Sequence, residues 1–214
     1  ALLLACGSSS PIVTSSFPYT DFNRLGFADP NSANAIQADI TILDHFVRNK
    51  AYTRIRLDGR WYNDGSGMPG SDMTGDIQAE LSLRGDPSGL YGRWSVYRFT
   101  NAVGTTAATL GWGDFTTPIV MGPTYTLFIG YDSSANQFTF RIGSEEYTFG
   151  PTGLPTRLRD PNSPWKSLTI RTQIDDDESS GYIAAAFDNV SVNGIPYEDF
   201  SSSTLNPAKW IAYE

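Results

Sequence analysis

The sequence predicts an all-β protein, an antiparallel β-sandwich or jelly roll, and three observations carry that prediction. Apolar and polar residues alternate with period 2 over most of the chain from Ala35 onward. Clusters of Gly, Pro, Asn and Asp cut the alternation into about ten short runs. No window holds a convincing 3.6-residue period, and the only helical candidate, 43–50, is short. Many short strands separated by turn signals mean a sandwich or jelly roll. The 214 residues suffice for one well-buried core. An aromatic fraction of 13% argues against disorder, and 18% charged residues with 20 Gly and 13 Pro exclude helical bundles and coiled coils.

Taken in chain order, the first segment reads Leu2-Leu3-Leu4-Ala5-Cys6-Gly7-Ser8-Ser9-Ser10. It resembles the end of a bacterial lipoprotein signal, an apolar run closed by a Leu-Leu-Ala-Cys lipobox, here Leu3 to Cys6. The resemblance implies export, a lipid on the Cys6 thiol as the only tie to a membrane, and an extracellular or outer-surface location. The competing reading is a short apolar strand. Residues 7–16 read as a Ser-rich linker, so the division expected is 1–16 as signal remnant and linker, 17–195 as the sandwich, and 196–214 as an extension.

The strands follow. Ile36, Ala38, Ile40 and Ile42 face one way, against Gln37, Asp39 and Thr41. Thr53, Ile55, Leu57 and Trp61 alternate with Tyr52, Arg54, Arg56, Asp58, Arg60 and Tyr62. Asn63-Asp64-Gly65-Ser66-Gly67 is a turn or loop. Ile77, Ala79, Leu81 and Leu83 then alternate with Asp76, Gln78, Glu80, Ser82 and Arg84. After the turn Asp86-Pro87-Ser88-Gly89, the run 90–99 sets Trp94 and Val96 against Arg93, Ser95 and Tyr97. Further strands are expected at 106–115, 124–131, 136–142, 145–149, 166–174 and 181–193, with a Pro-rich connection over 151–164. Trp61, Trp94, Trp112 and Trp165 are expected in the core.

A short repeat is visible. Pro18-Tyr19-Thr20-Asp21-Phe22 returns as Pro196-Tyr197-Glu198-Asp199-Phe200. The stretch from Tyr197 to Trp210, with Asp199-Phe200-Ser201 and Pro207-Ala208-Lys209-Trp210, resembles the opening of bacterial laminin-G-like, concanavalin A-like jelly-roll modules. Phe187-Asp188-Asn189-Val190-Ser191-Val192 resembles their closing strand, and Ala35–Ile40 with Trp61–Gly65 resembles their middle. The departure is one of order, because the better opening match lies after the body. It implies either a piece of a tandem array or a C-terminal segment given to the next molecule, a heterologous contact that builds filaments. In that reading Tyr197, Phe200, Leu205, Trp210 and Ile211 anchor the donated strand in a groove near residues 17–43, and the partner is the protein itself or an adjoining domain.

Candidate chemistry is sparse. Net charge is −8, so a nucleic-acid partner is not expected. His45 and Cys6 are single, which leaves no triad and no internal disulfide. If the strands 36–43, 52–62, 76–84 and 90–99 are neighbours, one face collects Asp39, Tyr52, Arg54, Arg56, Asp58, Arg60, Asp76, Gln78, Glu80, Arg93 and Tyr97. Planar rings among fixed hydrogen-bonding groups suit a glycan, with Tyr52, Arg54, Arg56, Asp76, Glu80 and Tyr97 as the candidate site for a polysaccharide. A solvated ion-pair lattice has the same appearance in sequence. The fold family also includes laminarinase-like hydrolases with a Glu-x-Asp-x-Glu strand, of which Asp76-Ile77-Gln78-Ala79-Glu80 keeps only Glu80, and no enzymatic activity is expected. Asp64, and the run Asp175, Asp176 and Asp177, offer hard oxygen ligands of the kind Ca²⁺ takes.

Overall fold

The computed structural model describes residues 1–8, 18–70 and 72–213. Fourteen strands follow one another: β1 (Leu2–Ser8), β2 (Tyr19–Phe27), β3 (Ala35–Arg48), β4 (Tyr52–Asn63), β5 (Asp76–Asp86), β6 (Gly89–Phe99), β7 (Ala107–Asp114), β8 (Thr124–Asp132), β9 (Gln137–Ile142), β10 (Glu145–Phe149), β11 (Lys166–Ile174), β12 (Ser180–Val192), β13 (Ile195–Glu198) and β14 (Trp210–Tyr213). They form two sheets. The front sheet runs β14-β2-β11-β4-β5-β6-β7; the back sheet runs β1-β12-β3-β8-β9-β10, with β13 on β12. Every strand pairing is antiparallel. The expected jelly-roll β-sandwich is the fold found.

The inward residues of the two sheets meet in one core. Ile36, Ile40 and Ile42 of β3, Leu127 and Ile129 of β8 and Phe138 and Phe140 of β9 face Ile55, Leu57, Leu81, Leu83, Leu168 and Ile170 of the front sheet. Each such side chain contributes about 1.5–3 kcal/mol by leaving water. Rings fill one end: Tyr62 stacks on Tyr131 at 4.9 Å, and Trp94 on Phe140 at 5.2 Å.

Several expectations are corrected by tertiary pairing. Residues 43–48 are not helical but extend β3, because β12 pairs with them out to Ser180↔Arg48. β3 lies in the back sheet, so Asp39 is not on the face shared by β4, β5 and β6; it accepts hydrogen bonds from Thr126 and Asn189 instead. Tyr62 does not continue the polar alternation of β4. The register slips between Arg60 and Tyr62, Trp61 is the extra residue, and both rings turn into the core. Trp112 is 57% exposed and Trp165 half-buried, so only Trp61 and Trp94 of the four expected core tryptophans are core. His45 lies against Gly85, where a Cβ would collide with its ring, and burial pushes its pKa down.

Both flanks join the sandwich. The stretch expected as a lipobox is the edge strand β1, in register with β12 from Leu2↔Phe187 to Ser8↔Gly181, and Leu2 and Leu4 pack against the core. The strand reading of this segment is the one the pairing supports; the lipid anchor on Cys6 finds no support in it. Most of the expected Ser-rich linker, 9–16, lies outside the described residues. At the other flank the C-terminal segment closes on its own chain. β14 pairs with β2 from Trp210↔Phe27 to Tyr213↔Arg24. Trp210 is buried against Phe27 at 4.7 Å, Tyr197 at 5.3 Å and Phe200 at 5.7 Å. Leu205 and Ile211, expected as anchors, are exposed. The two copies of the repeat are not equivalent, since the first falls on β2 of the front sheet and the second on β13 of the back sheet.

Candidate functional site

The outward residues of the front sheet fall into cross-strand rows. One row reads Phe22, Arg171, Arg54, Arg84, Tyr91 across β2, β11, β4, β5 and β6. The next reads Arg24, Thr169, Arg56, Ser82, Arg93 and, on β7, Asp114. A third reads Ser167, Asp58, Glu80, Ser95, Trp112, and a fourth Arg60, Gln78, Tyr97, Thr109. The alternation of β4, β5 and β6 thus places Tyr52, Arg54, Arg56, Glu80 and Tyr97 on one face, as expected. Arg171 comes from β11, whose place beside β4 depends on pairing between distant segments.

Glu80 is the hub. It is 1% exposed on a face that points away from the core, because long side chains close over it. Arg56 Nη1 lies 3.1 Å and Arg54 Nη1 3.5 Å from its carboxylate, and Arg84 Nη2 donates to the same group. Burial pushes the Glu80 pKa up, but Arg56, Arg54 and Arg84 outweigh it and bring it to about 2. Asp58, fully buried beside it, accepts from Ser167 Oγ at 2.7 Å. Arg56 Nε lies 2.9 Å from Asp58 Oδ2, close enough for an ion pair but out of line for a hydrogen bond. Burial dominates there, and the Asp58 pKa is raised. Arg56 is raised in turn, burial notwithstanding, by Asp58 and Glu80.

Seven arginines share this face, Arg24, Arg54, Arg56, Arg60, Arg84, Arg93 and Arg171, against the carboxylates of Asp58, Glu80 and Asp114. Arg93 holds Asp114 in a two-pronged pair, 2.5 and 2.8 Å, and its guanidinium lies 4.4 Å from the Trp112 ring. Arg171 Nη2 donates to neutral acceptors, Gln173 Oε1 at 2.8 Å and Thr20 Oγ1 at 3.3 Å. Burial lowers its pKa, and Arg54 and Arg56 lower it further.

A cleft of about 470 Å³ opens at one end of the face. Tyr52 and Tyr91 line it with Arg54 and Arg84; Lys50, Asp86 and Asp175 line it too. The Tyr52 ring lies 4.8 Å from the Arg54 guanidinium, and its hydroxyl donates to Gln173 while accepting from Arg54 Nη2 at 3.1 Å. The Tyr52 ring is therefore held in place before any ligand arrives.

Asp76 is not part of this site. Although it has the parity of Glu80, it stands at the start of β5 and ties down loops. It accepts from Asn63 Nδ2 at 2.7 Å and from the backbone N–H groups of Asn162 and Ser163 at 2.8 and 3.1 Å. The oxygen ligands expected for Ca²⁺ are divided between the two ends of β4 and committed elsewhere. Asp64 is paired with Arg98 at 2.5 Å, which together with Ser66 lowers its pKa against burial. Asp175 accepts from Gln173 and Asp176 pairs with Lys50 at 3.1 Å; Asp177 is exposed. Among the described residues no group of three His, Cys, Asp or Glu side chains converges to hold a metal ion.

No protein-family model matches the chain. No curated protein matches it either. Solved structures that resemble it include the metal-free carbohydrate recognition domain of Emp46p, at 15% identity and a TM-score of 0.42 over 79% of this chain and 78% of that one. They also include the κ-carrageenase of Pseudoalteromonas carrageenovora in complex with an oligotetrasaccharide of κ-carrageenan, at 8% identity and 0.42 over 85% and 87%. A third is the carbohydrate-binding module CBM66 of Bacillus subtilis, at 13% and 0.32 over 88% and 92%. TM-scores this low carry no argument, and the site is read from its own residues.

Proposed function

We propose that the protein is a glycan-binding module without catalytic activity, whose ligand lies on the front face at the Tyr52–Tyr91 cleft. The observation that supports this most is the preorganised cleft itself, with the Tyr52 ring and the Arg54 and Arg84 guanidiniums fixed by Gln173 and Glu80 before binding. Sugars need a flat apolar surface for ring faces and rigid donors for hydroxyls, and small-molecule sites generally combine the two. Hydrolysis is disfavoured by the same geometry. Glu80, with a pKa of about 2 and three guanidiniums on it, cannot donate a proton near neutrality. Asp76, its sequence partner, is occupied in loop bonding. The reading goes with a location outside the cell, where polysaccharides are met.

Affinity electrophoresis through gels containing single polysaccharides tests it. Tyr91→Ala should cut retention at least tenfold with an unchanged unfolding midpoint. Unchanged retention would remove the cleft as the site.

Head-to-tail assembly through the C-terminal segment is a second reading. The observation favouring it is that β14 is only four residues long, is anchored by Trp210 and hangs on an exposed stretch, 201–208. A β14 that crossed to a neighbouring molecule would make the Phe27–Trp210 contact in trans. Size exclusion with light scattering on the protein and on Trp210→Ala decides: assembly predicts a concentration-dependent ladder that Trp210→Ala abolishes, and a single monomer peak at every concentration contradicts it.

A further inference from the structure

Arg171, Arg54 and Arg84 stand directly opposite one another on three adjacent strands, with Phe22 and Tyr91 closing the row. Like charges in opposed positions destabilise a sheet. One carboxylate, Glu80, serves both Arg54 and Arg84, while Arg171 is served by neutral oxygens. The buried Nε atoms of Arg54 and Arg171 lack a hydrogen-bond partner. Even with Asp86 and Asp175 at its cleft end, this face holds more guanidiniums than carboxylates, seven arginines against Asp58, Glu80, Asp114 and those two, on a protein whose net charge is −8. The fold does not need that surplus, since outward positions of the back sheet hold Thr41, Thr126, Thr139 and Ala184, and Arg141 there has its own carboxylate in Glu146. Guanidinium forks bind planar or tetrahedral oxyanions in pairs of hydrogen bonds.

We propose that the ligand of this face is an acidic polysaccharide, with a carboxylate or sulfate group seated over the Arg171–Arg54–Arg84 row and a sugar ring against Tyr52 or Tyr91. This rests on the glycan-binding reading and adds the sign of the ligand's charge. A sugar acid carries its charge ring by ring, so an acid group can meet the row while neutral ring atoms pass Asp86 and Asp175, which share the cleft. Duplex DNA, with a charge every ~1.7 Å of axis, would set phosphates against those two carboxylates as well.

Affinity electrophoresis with matched probes tests it: polygalacturonate and dextran sulfate as acidic polymers, dextran and a mixed-linkage β-glucan as neutral ones, and duplex DNA. The expected result is retention on at least one acidic polysaccharide, weakened at least tenfold by 0.5 M NaCl and by Arg171→Gln, and restored by Arg171→Lys to within about threefold of the parent protein by charge alone. Arg171→Gln keeps a side chain that can still meet Gln173, so its unfolding midpoint should stay close to that of the parent. Retention on the neutral polymers with none on the acidic ones overturns the charge assignment and leaves the glycan reading standing. Retention on none of the polysaccharides overturns both. Retention on DNA equal to that on the acidic polysaccharides, or wild-type retention by Arg171→Gln, overturns the assignment to this row.

Discussion

The outer faces of the two sheets differ more than their inner faces do. Both inner faces are built from the same alternating Ile, Leu, Val and Phe, and both are buried. On the back sheet the outward positions hold threonines bonded to one another, such as Thr41 with Thr124, a carboxylate, Asp39, shared by Thr126 and Asn189, and an arginine, Arg141, set over Phe128 and paired with Glu146. On the front sheet the same positions hold a lattice of guanidiniums over two buried acids, Asp58 and Glu80. The difference teaches that the fold is specified by the inward set. What occupies the outward set is free to serve something else, and on the front sheet it is maintained against a desolvation cost.

The largest expected effect sharpens that contrast. Glu80→Gln leaves Arg54, Arg56 and Arg84 facing one another without their common anion, and should cost about 3–5 kcal/mol in urea unfolding. Asp39→Asn on the back sheet should cost less than about 1 kcal/mol, because its partners are neutral and water reaches them. Similar losses for the two would erase the distinction between the faces.

Acid should act on the front sheet through Glu80. The folded pKa of Glu80, about 2, is depressed below its ordinary value of 4.5. Its ionised form therefore adds stability that is fully present above pH 4.5 and is lost as pH falls towards 2. Asp58 works against it, since a raised pKa makes its contribution fall as pH rises through the range above 3.8. A plot of unfolding free energy against pH should drop below pH 4.5 in the parent protein and drop less in Glu80→Gln, where Glu145, also lowered to about 2, still contributes. The smallest expected effect is on stability in Arg171→Gln, less than about 1 kcal/mol, because this arginine bonds to neutral oxygens. A loss as large as that of Glu80→Gln would make Arg171 structural.

Much of this was legible in the sequence, for a physical reason. Alternation and turn signals report strands and which side of them is buried, so β3 to β12 are visible, and with β4, β5 and β6 adjacent, so is the clustering of Tyr52, Arg54, Arg56, Glu80 and Tyr97. Alternation does not report which distant strands pair. That concealed the transfer of β3 to the back sheet, which removes Asp39 from the face, and the insertion of β11 beside β4, which brings Arg171 in. The bulge at Trp61 and the loop bonding of Asp76 follow from the Asn63–Asp76 loop and the 151–164 connection, whose conformations no periodicity encodes. Tyr91 and Trp112 had a signal in retrospect: each sits opposite a residue of the polar face, Arg84 and Ser95.

The central claim is that ligand meets the front sheet at the arginine row. The most direct measurement is a two-dimensional NMR titration of the backbone amides and arginine Nε–Hε groups with an acidic oligosaccharide, oligogalacturonate. Shifts concentrated at 52–56, 84–91 and 169–173, with the Arg171 and Arg54 side chains moving most, are the predicted result. Shifts confined to the back sheet or to the Trp210 cluster, with those side chains unmoved, would contradict it.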